Sequence, residues 1–278
     1  MPKVASRLAD WAVTVDPMEP DETLSALADR AVTVDPMEPD EALSALEALI
    51  LAPATEPQRV ALLASARSDM ERIFYSHDGL IADKWSHYLE IYDRHLGRYR
   101  GEEVRLLEIG VQNGGSLEIW RRYLGPQAFI QGLDVDPRCA AIVGLDEMVV
   151  IGDQSDPAVL ASVAGFEPRP LDVVIDDGSH LWRDQISTFE TLFPLLAEDG
   201  VYVCEDVHTS FIARFGDESG VTFIDYARGL VDRMHAAYDG TSDPGVARSV
   251  FAVHVYDSMV VVEKRRRERP LRVLVGRR

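Results

Sequence analysis

Cysteine and lysine are both scarce in this chain of 278 residues. The two cysteines, Cys139 and Cys204, show no C-x-x-C spacing and sit in strand-like or strand-flanking apolar surroundings. That pattern argues against a disulfide framework or a zinc site and points to a reducing cytoplasm. Lysine occurs only at Lys3, Lys84 and Lys264. Positive charge as a whole is short: 47 acids against 28 lysines and arginines leave a formal net charge of -19. An acidic surface repels phosphate backbones instead of releasing counterions from them, so nucleic acid is a poor partner. No run approaches about eighteen uninterrupted apolar residues, and the opening MPKVASRLADW lacks the apolar stretch of a signal peptide, so neither a membrane span nor export by that route is expected. What the chain does have is 46% hydrophobic residues, 8% of the total being aromatic. That is enough to bury a core in one large domain, or in a domain with an arm.

The charge is unevenly spread. Residues 1–50 hold eleven acids against Lys3, Arg7 and Arg30, whereas Lys264 to Arg278 hold eight basic residues against Glu268 alone. Both runs suit solvated faces, and they also suit pairing within or between subunits. The acidic part contains a duplication: LADWAVTVDPMEPDETLSAL at 8–27 recurs as LADRAVTVDPMEPDEALSAL at 27–46, differing only at Trp11/Arg30 and Thr23/Ala42. Two copies are too few for a solenoid. Each reads as an extended V-T-V, a Pro-rich turn and a short amphipathic helix carrying Leu24 and Leu27, or Leu43 and Leu46. A further helix is expected after Pro57, running through Val60, Leu63, Met70 and Ile73.

From about residue 83 the pattern becomes alternating strand and helix. Strand candidates are Val104 to Ile109, Phe129 to Leu133, Met148 to Ile151, Leu171 to Ile175 and Val201 to Cys204, with helical spacing between most of them, as in Ile186, Phe189, Phe193 and Leu196. Nearly all-apolar strands in βα alternation predict a parallel sheet covered on both faces. Val250 to Val255 and Met259 to Val262, joined by Tyr256-Asp257-Ser258, predict a closing antiparallel hairpin.

Ligands of open α/β sheets sit beyond the carboxyl ends of the strands, so the residues after each strand carry the functional reading. The first strand runs into L-L-E-I-G-V-Q-N-G-G-S, residues 106–116. Gly110, Gly114 and Gly115 would let backbone approach a ligand where a helix begins. A dinucleotide fingerprint fails because position 112 is Gln, while the looser glycine loop of S-adenosylmethionine binders fits. The second strand ends at Asp134, placed to accept both ribose hydroxyls. The third ends at Asp153, placed to accept an adenine amino group, with Asp156 before Pro157 reading as a helix cap. The fourth ends I-D-D-G-S-H at 175–180 and the fifth C-E-D-V-H-T-S at 204–210. Adjacent strands lie about 4.8 Å apart, so Asp177, Glu205 and Asp206 can converge. Such a trio repels itself unless a cation sits among its members, and oxygen donors select a hard ion such as Mg²⁺. Asp176 points the other way and reads as a contact to the cofactor or to the metal ligands. His180 stands three residues past Asp177 and is placed to act as base on a hydroxyl held at the metal; His208 is the rival.

The segments D-K-W-S-H-Y at 83–88, L-L-E-I-G-V-Q-N-G-G-S, G-D-Q-S-D, V-I-D-D-G-S-H and E-D-V-H-T-S together resemble the metal-dependent sugar O-methyltransferases of macrolide biosynthesis, and similarly the rhamnose O-methyltransferases of enediyne or spinosyn pathways. The resemblance covers residues 75–263. It implies a Rossmann-like class I methyltransferase fold, an α/β seven-stranded mostly parallel sheet with the C-terminal antiparallel hairpin. Residues 1–74 are then an N-terminal helical arm and 264–278 a basic tail. It also implies Mg²⁺ on Asp177, Glu205 and Asp206 and His180 as base. S-adenosylmethionine is expected to meet Lys84, Glu108, Gly110, Asn113, Gly114, Ser116, Asp134, Asp153 and Asp176, with Lys84 and Trp85 in a covering segment. The expected acceptor is a glycosylated small molecule of antibiotic biosynthesis, and the expected assembly a homo-oligomer with arms crossing subunits. A catechol-type enzyme with a lysine base is disfavoured because none of the three lysines is expected near the fourth strand's loop. A relative of the cephalosporin hydroxylation or methoxylation proteins, or a non-catalytic binding module, are the other readings.

Overall fold

The computed structural model describes residues 53–142, 148–235, 249–266 and 271–276. The duplicated arm lies outside the described residues. The chain divides into units 1–61 and 62–278, and the sheet with the site at its rim belongs to the second.

Seven strands form one sheet in the order β3-β2-β1-β4-β5-β7-β6. They are β1 (Arg105–Ile109), β2 (Phe129–Asp134), β3 (Met148–Ile151), β4 (Leu171–Asp176), β5 (Leu196–Cys204), β6 (Val250–Tyr256) and β7 (Met259–Lys264). The first five are parallel, while β7 runs antiparallel to β5 and to β6. The α-helices described are α1 (Glu56–Ser65), α2 (Asp69–Tyr75), α3 (Tyr88–Leu96), α4 (Gly115–Leu124), α5 (Pro157–Ala164), α6 (Trp182–Leu192) and α7 (Phe223–Met234). The expected parallel sheet and closing hairpin are therefore present.

Side chains on a strand alternate between faces, so each strand supplies two cores. Leu106, Val173, Val201, Val203 and Val261 face one side, where Met70, Tyr88, Leu89, Tyr92, Trp120 and Leu124 of α2, α3 and α4 cover them. Leu107, Val174, Tyr202, Cys204 and Val262 face the other, under Leu160, Phe189, Phe223 and Leu230 of α5, α6 and α7. Covering both faces is what near-continuous apolar strands require. The two cysteines are free and fall in the cores on opposite faces. No helix among the described residues is long and apolar enough to cross a membrane.

Two boundaries differ from expectation. The single helix expected after Pro57 is two helices: α1 ends at Ser65, and Ser68 starts α2, its hydroxyl accepting from Glu71 N at 3.1 Å while Glu71 Oε2 accepts from Ser68 N at 2.9 Å. This capping box satisfies amide donors that the apolar periodicity does not reveal. As a result Met70 and Tyr75 of α2 are buried in the sheet's core, and the compact unit begins before residue 75. At the other end Lys264 belongs to β7 rather than to a solvated tail. Its ammonium is turned in to the carbonyls of Pro194 and Leu196 at 2.8 and 2.6 Å.

Candidate active site

The carboxyl ends of β1, β4 and β5, the start of α3 and the β6–β7 turn meet at one rim of the sheet. The backbone is specialised there: among the described residues the non-glycine positions of positive φ are Gln112, His180, Asp206 and Ser258. They follow β1, β4 and β5 and close the hairpin. Left-handed geometry at such residues is held only where surrounding contacts enforce it.

At the glycine loop, Gly115 N donates to Ile81 O at 3.3 Å, and a Cβ on Gly115 would lie 2.2 Å from Leu80 O. Gly110, at φ +90°, faces the Asp177 carbonyl, which a Cβ would meet at 1.9 Å. These two glycines are thus required by the protein's own backbone, not by a ligand as expected. Gly114 caps α4 in the left-handed region, and Gln112 and Asn113 are exposed beside it. Leu80 and Ile81 pack against the glycine loop, and Lys84, three residues on, turns its ammonium to Asp177.

Asp134 at the end of β2 takes three backbone amides, Val111 N (2.8 Å) and Gln112 N (2.9 Å) on Oδ2 and Asp136 N (2.8 Å) on Oδ1. It shapes the glycine loop. Asp153 is exposed after β3, with Oδ1 on Ser155 N, and Asp156 caps α5 through Ala158 N at 2.8 Å, as expected. Ser116 Oγ donates to Glu108 Oε2 at 2.6 Å, while the buried Glu108 Oε1 has no hydrogen bond and lies 3.4 Å from Lys84 Nζ. A buried carboxylate oxygen that lacks a hydrogen bond and meets only the Lys84 ammonium suits an ammonium or amino group of a ligand.

Asp176 is only 1% exposed. Its oxygens accept from Tyr202 OH at 2.8 Å and Gln154 Nε2 at 3.1 Å, and burial pushes its carboxyl up to about 6. As it stands it braces the framework instead of facing a cofactor, because its side chain leaves the sheet opposite to that of Asp177. Gln154, the central residue of the G-D-Q-S-D motif but given no role in the sequence reading, also accepts from Ser179 N at 2.6 Å and so ties the β3 loop to the β4 loop.

The carboxylates after β4 and β5 converge, and the cation among them is the Lys84 ammonium. Lys84 Nζ donates to Asp177 Oδ2 at 2.5 Å and Glu205 Oε2 at 3.0 Å. This overturns the expectation that no lysine lies near the fourth strand's loop; a sequence separation of 93 residues hid it. Glu205 Oε1 accepts from Tyr92 OH at 2.5 Å, so Glu205 is committed to α3 and Lys84. Asp206 accepts from Tyr88 OH at 2.6 Å. Tyr88 and Tyr92 stand one turn apart on α3, a spacing visible in the sequence but uninformative until the helix is placed. His180 Nε2 lies 3.8 Å from Asp177 Oδ1 and 3.5 Å from Asp206 Oδ2. His180 Nδ1 is buried without a hydrogen-bond partner. The rival His208 meets Ser258 Oγ through Nδ1 and stands 3.9 Å from Asp206 Oδ1.

Electrostatically, burial pushes Glu108, Asp177 and Glu205 above the ordinary carboxylate range against the pull of Lys84. Burial also works against the Lys84 charge, but Asp177, Glu205 and Glu108 together hold its ammonium well above the usual lysine value. Both directions follow from one arrangement, since a single ammonium cannot neutralise three surrounding carboxylates. The excess negative charge and the hard oxygen donors fit a divalent cation. Asp177, Asp206 and His180 present donor atoms close enough to share one ion.

No protein-family model matches the chain. It is 34% identical over 226 residues to the 8-demethyl-8-(2-methoxy-alpha-L-rhamnosyl)-tetracenomycin-C 3'-O-methyltransferase of Streptomyces olivaceus, covering 74% of this chain and 56% of that one. It is 34% identical over 222 residues to the demethylmacrocin O-methyltransferase of Streptomyces fradiae, covering 72% and 54%. In structure it matches the MycE methyltransferase from the mycinamycin biosynthetic pathway in complex with Mg, SAH and mycinamycin VI, with TM-score 0.61 and 30% identity over 86% of this chain and 66% of that one. The chain is thus similar in sequence to sugar O-methyltransferases and in fold to class I methyltransferases, and it spans about half the length of the curated relatives it matches.

Proposed function

We propose that this chain, like the sugar O-methyltransferases it is similar to, transfers a methyl group from S-adenosylmethionine to a hydroxyl of a deoxysugar, such as a rhamnose, on a natural product of antibiotic biosynthesis. The observation that carries the proposal is His180 Nε2 standing within 4 Å of both Asp177 and Asp206 at the open rim of the sheet. S-adenosylmethionine supplies the methyl group, and a divalent ion such as Mg²⁺, when bound, makes a coordinated sugar hydroxyl more acidic. Asp177 and Asp206 would hold the ion, with Glu205 behind them. Glu108 would take the cofactor's amino group, Asp134 shapes the glycine loop, and Asp153 would take the adenine amino group. His180 Nε2 takes the hydroxyl proton. Holding acceptor and methyl donor together supplies much of the rate.

Lys84 so close to Asp177 supports a second reading, the catechol-type enzyme with a lysine base. An ammonium held by three carboxylates is a donor and not an acceptor, so the base is assigned to His180. The opposite charges of residues 1–50 and of the basic segment after Lys264 support a homo-oligomer whose arms cross subunits, which light scattering on full-length and residue-50-truncated protein tests; a full-length monomer, or unchanged assembly after truncation, overturns it.

The deciding experiment is turnover with labelled cofactor over glycosylated macrolides, enediynes and free catechols, before and after chelation. Methylation of glycosides, lost with chelator and restored by Mg²⁺, is expected; methylation of catechol alone overturns the assignment. His180→Ala should lower the rate about 10²- to 10⁴-fold with cofactor binding and metal demand near normal. Full activity in that variant would move the base to His208 or a solvent hydroxide.

A further inference from the structure

A second cluster of donor atoms lies away from the proposed active site, between the C-terminal turn of α3 and the β6–β7 hairpin. His254 Nε2 is 3.1 Å from Glu263 Oε1, and His95 Nδ1 is 3.3 Å from the same oxygen. The two imidazole rings face each other with centroids 4.6 Å apart. Three features distinguish this group from a chance surface cluster. First, the positions are rigid. His254 pairs with Val261 and Glu263 with Ala252, which puts the two side chains diagonally on one face of the hairpin, and His95 stands on a buried helix turn above them. Second, the spacing suits an ion: ligands about 2.05 Å from a tetrahedral Zn²⁺ lie about 3.3 Å from one another. Third, the other nitrogen of His95, Nε2, is 2.9 Å from the Tyr256 hydroxyl. Histidines that bind a metal through one nitrogen almost always have the second one fixed by such a partner.

We propose that His95, His254 and Glu263 form a zinc site, with His95 Nδ1, His254 Nε2 and a Glu263 oxygen as ligands and water in the fourth position. Two imidazoles and one carboxylate suit Zn²⁺ better than the hard ion that the all-oxygen carboxylates at the active-site rim select. The side chains are 4%, 36% and 22% exposed, so the site is held by the fold yet open to an ion from solvent. The bound ion would staple the sheet's edge hairpin to α3. That helix carries Tyr88, Tyr92 and His95 at i, i+4 and i+7, the first two holding Asp206 and Glu205.

The test uses the full chain, stripped with chelator and titrated with Co²⁺ as a spectroscopic probe for Zn²⁺. Intense visible absorption of four-coordinate cobalt is expected, displaced by Zn²⁺, lost in His254→Ala and in Glu263→Gln, and retained in Asp177→Asn. Affinity should fall at least ~100-fold on loss of a ligand and about 10- to 100-fold in Tyr256→Phe. Zn²⁺ should raise the melting temperature of the wild-type chain but not of His254→Ala. Absence of four-coordinate absorption overturns the proposal, as does its survival in folded His254→Ala and Glu263→Gln or its loss in Asp177→Asn.

Discussion

The two halves of the sheet's carboxyl rim hold their acids by different means. After β2 and β3, Asp134, Asp153 and Asp156 are bonded by backbone amides within 23 residues of themselves. After β4 and β5, Asp177, Glu205 and Asp206 are bonded by Lys84, Tyr92 and Tyr88 from 93, 113 and 118 residues away. The amide bonds of Asp153 and Asp156 follow from the local turn and those of Asp134 from the neighbouring β1 loop, so they need no docked side chain. Side-chain bonding exists only after α3 and the covering segment dock on the sheet. The first half therefore depends on nearby chain, whereas the second concentrates buried charge whose compensation is entirely tertiary.

Removing that compensation gives the largest expected effect. Lys84→Met leaves Glu108, Asp177 and Glu205 buried without their ammonium and should destabilise the fold by about 3–5 kcal/mol, the range for breaking one side of a buried pair. Denaturant unfolding at neutral pH measures it, and a loss under about 1 kcal/mol would erase the contrast between the halves.

Next comes the pH dependence of Asp176. Its folded value of about 6 lies above the ordinary aspartate value of 3.8, so its contribution to stability is fully present below pH ~3.8 and lost as pH rises through ~6. The difference amounts to about 3 kcal/mol. Asp176→Asn lacks this titration, so its stability relative to wild type should rise by about that amount between pH 4 and 7; parallel stability curves would show that burial there carries no penalty.

On the amide-bonded side, Asp134→Ala removes a carboxylate that orders the glycine loop and should weaken S-adenosylhomocysteine binding about tenfold or more, equivalent to ~1.5–3 kcal/mol. Calorimetric titration decides, and unchanged affinity would mean that the loop keeps its shape without the acid. The smallest effect belongs to a purely local device. Ser68→Ala deletes half of the capping box at α2 and should lower stability by about 1 kcal/mol, read from the midpoint of the same unfolding curve.

Much of this was legible from residues alone. Apolar runs located all seven strands, and the acids were found because they follow those runs directly. β5, however, begins at Leu196, which helical spacing had given to the preceding helix, because its partly exposed stretch Ala197 to Asp199 is not an apolar run. The Asp156 cap was legible for the same reason, as a turn signal whose partner is two residues away. The split between α1 and α2 was not, because helical periodicity continues across Ser68 and only the capping geometry interrupts it.

By itself the sequence determined the order of strands and helices, the rim at which the acids gather and the kinship with sugar O-methyltransferases, all of which depend on short-range pattern. Tertiary structure decided which groups those acids meet. It brought Lys84 between Asp177 and Glu205, turned Asp176 to Tyr202 and Gln154, and set His95 against His254 and Glu263. The reason is physical: a side chain's direction depends on the docking of the element that carries it, and the Coulomb energy of a buried carboxylate depends on neighbours that no local window of sequence contains.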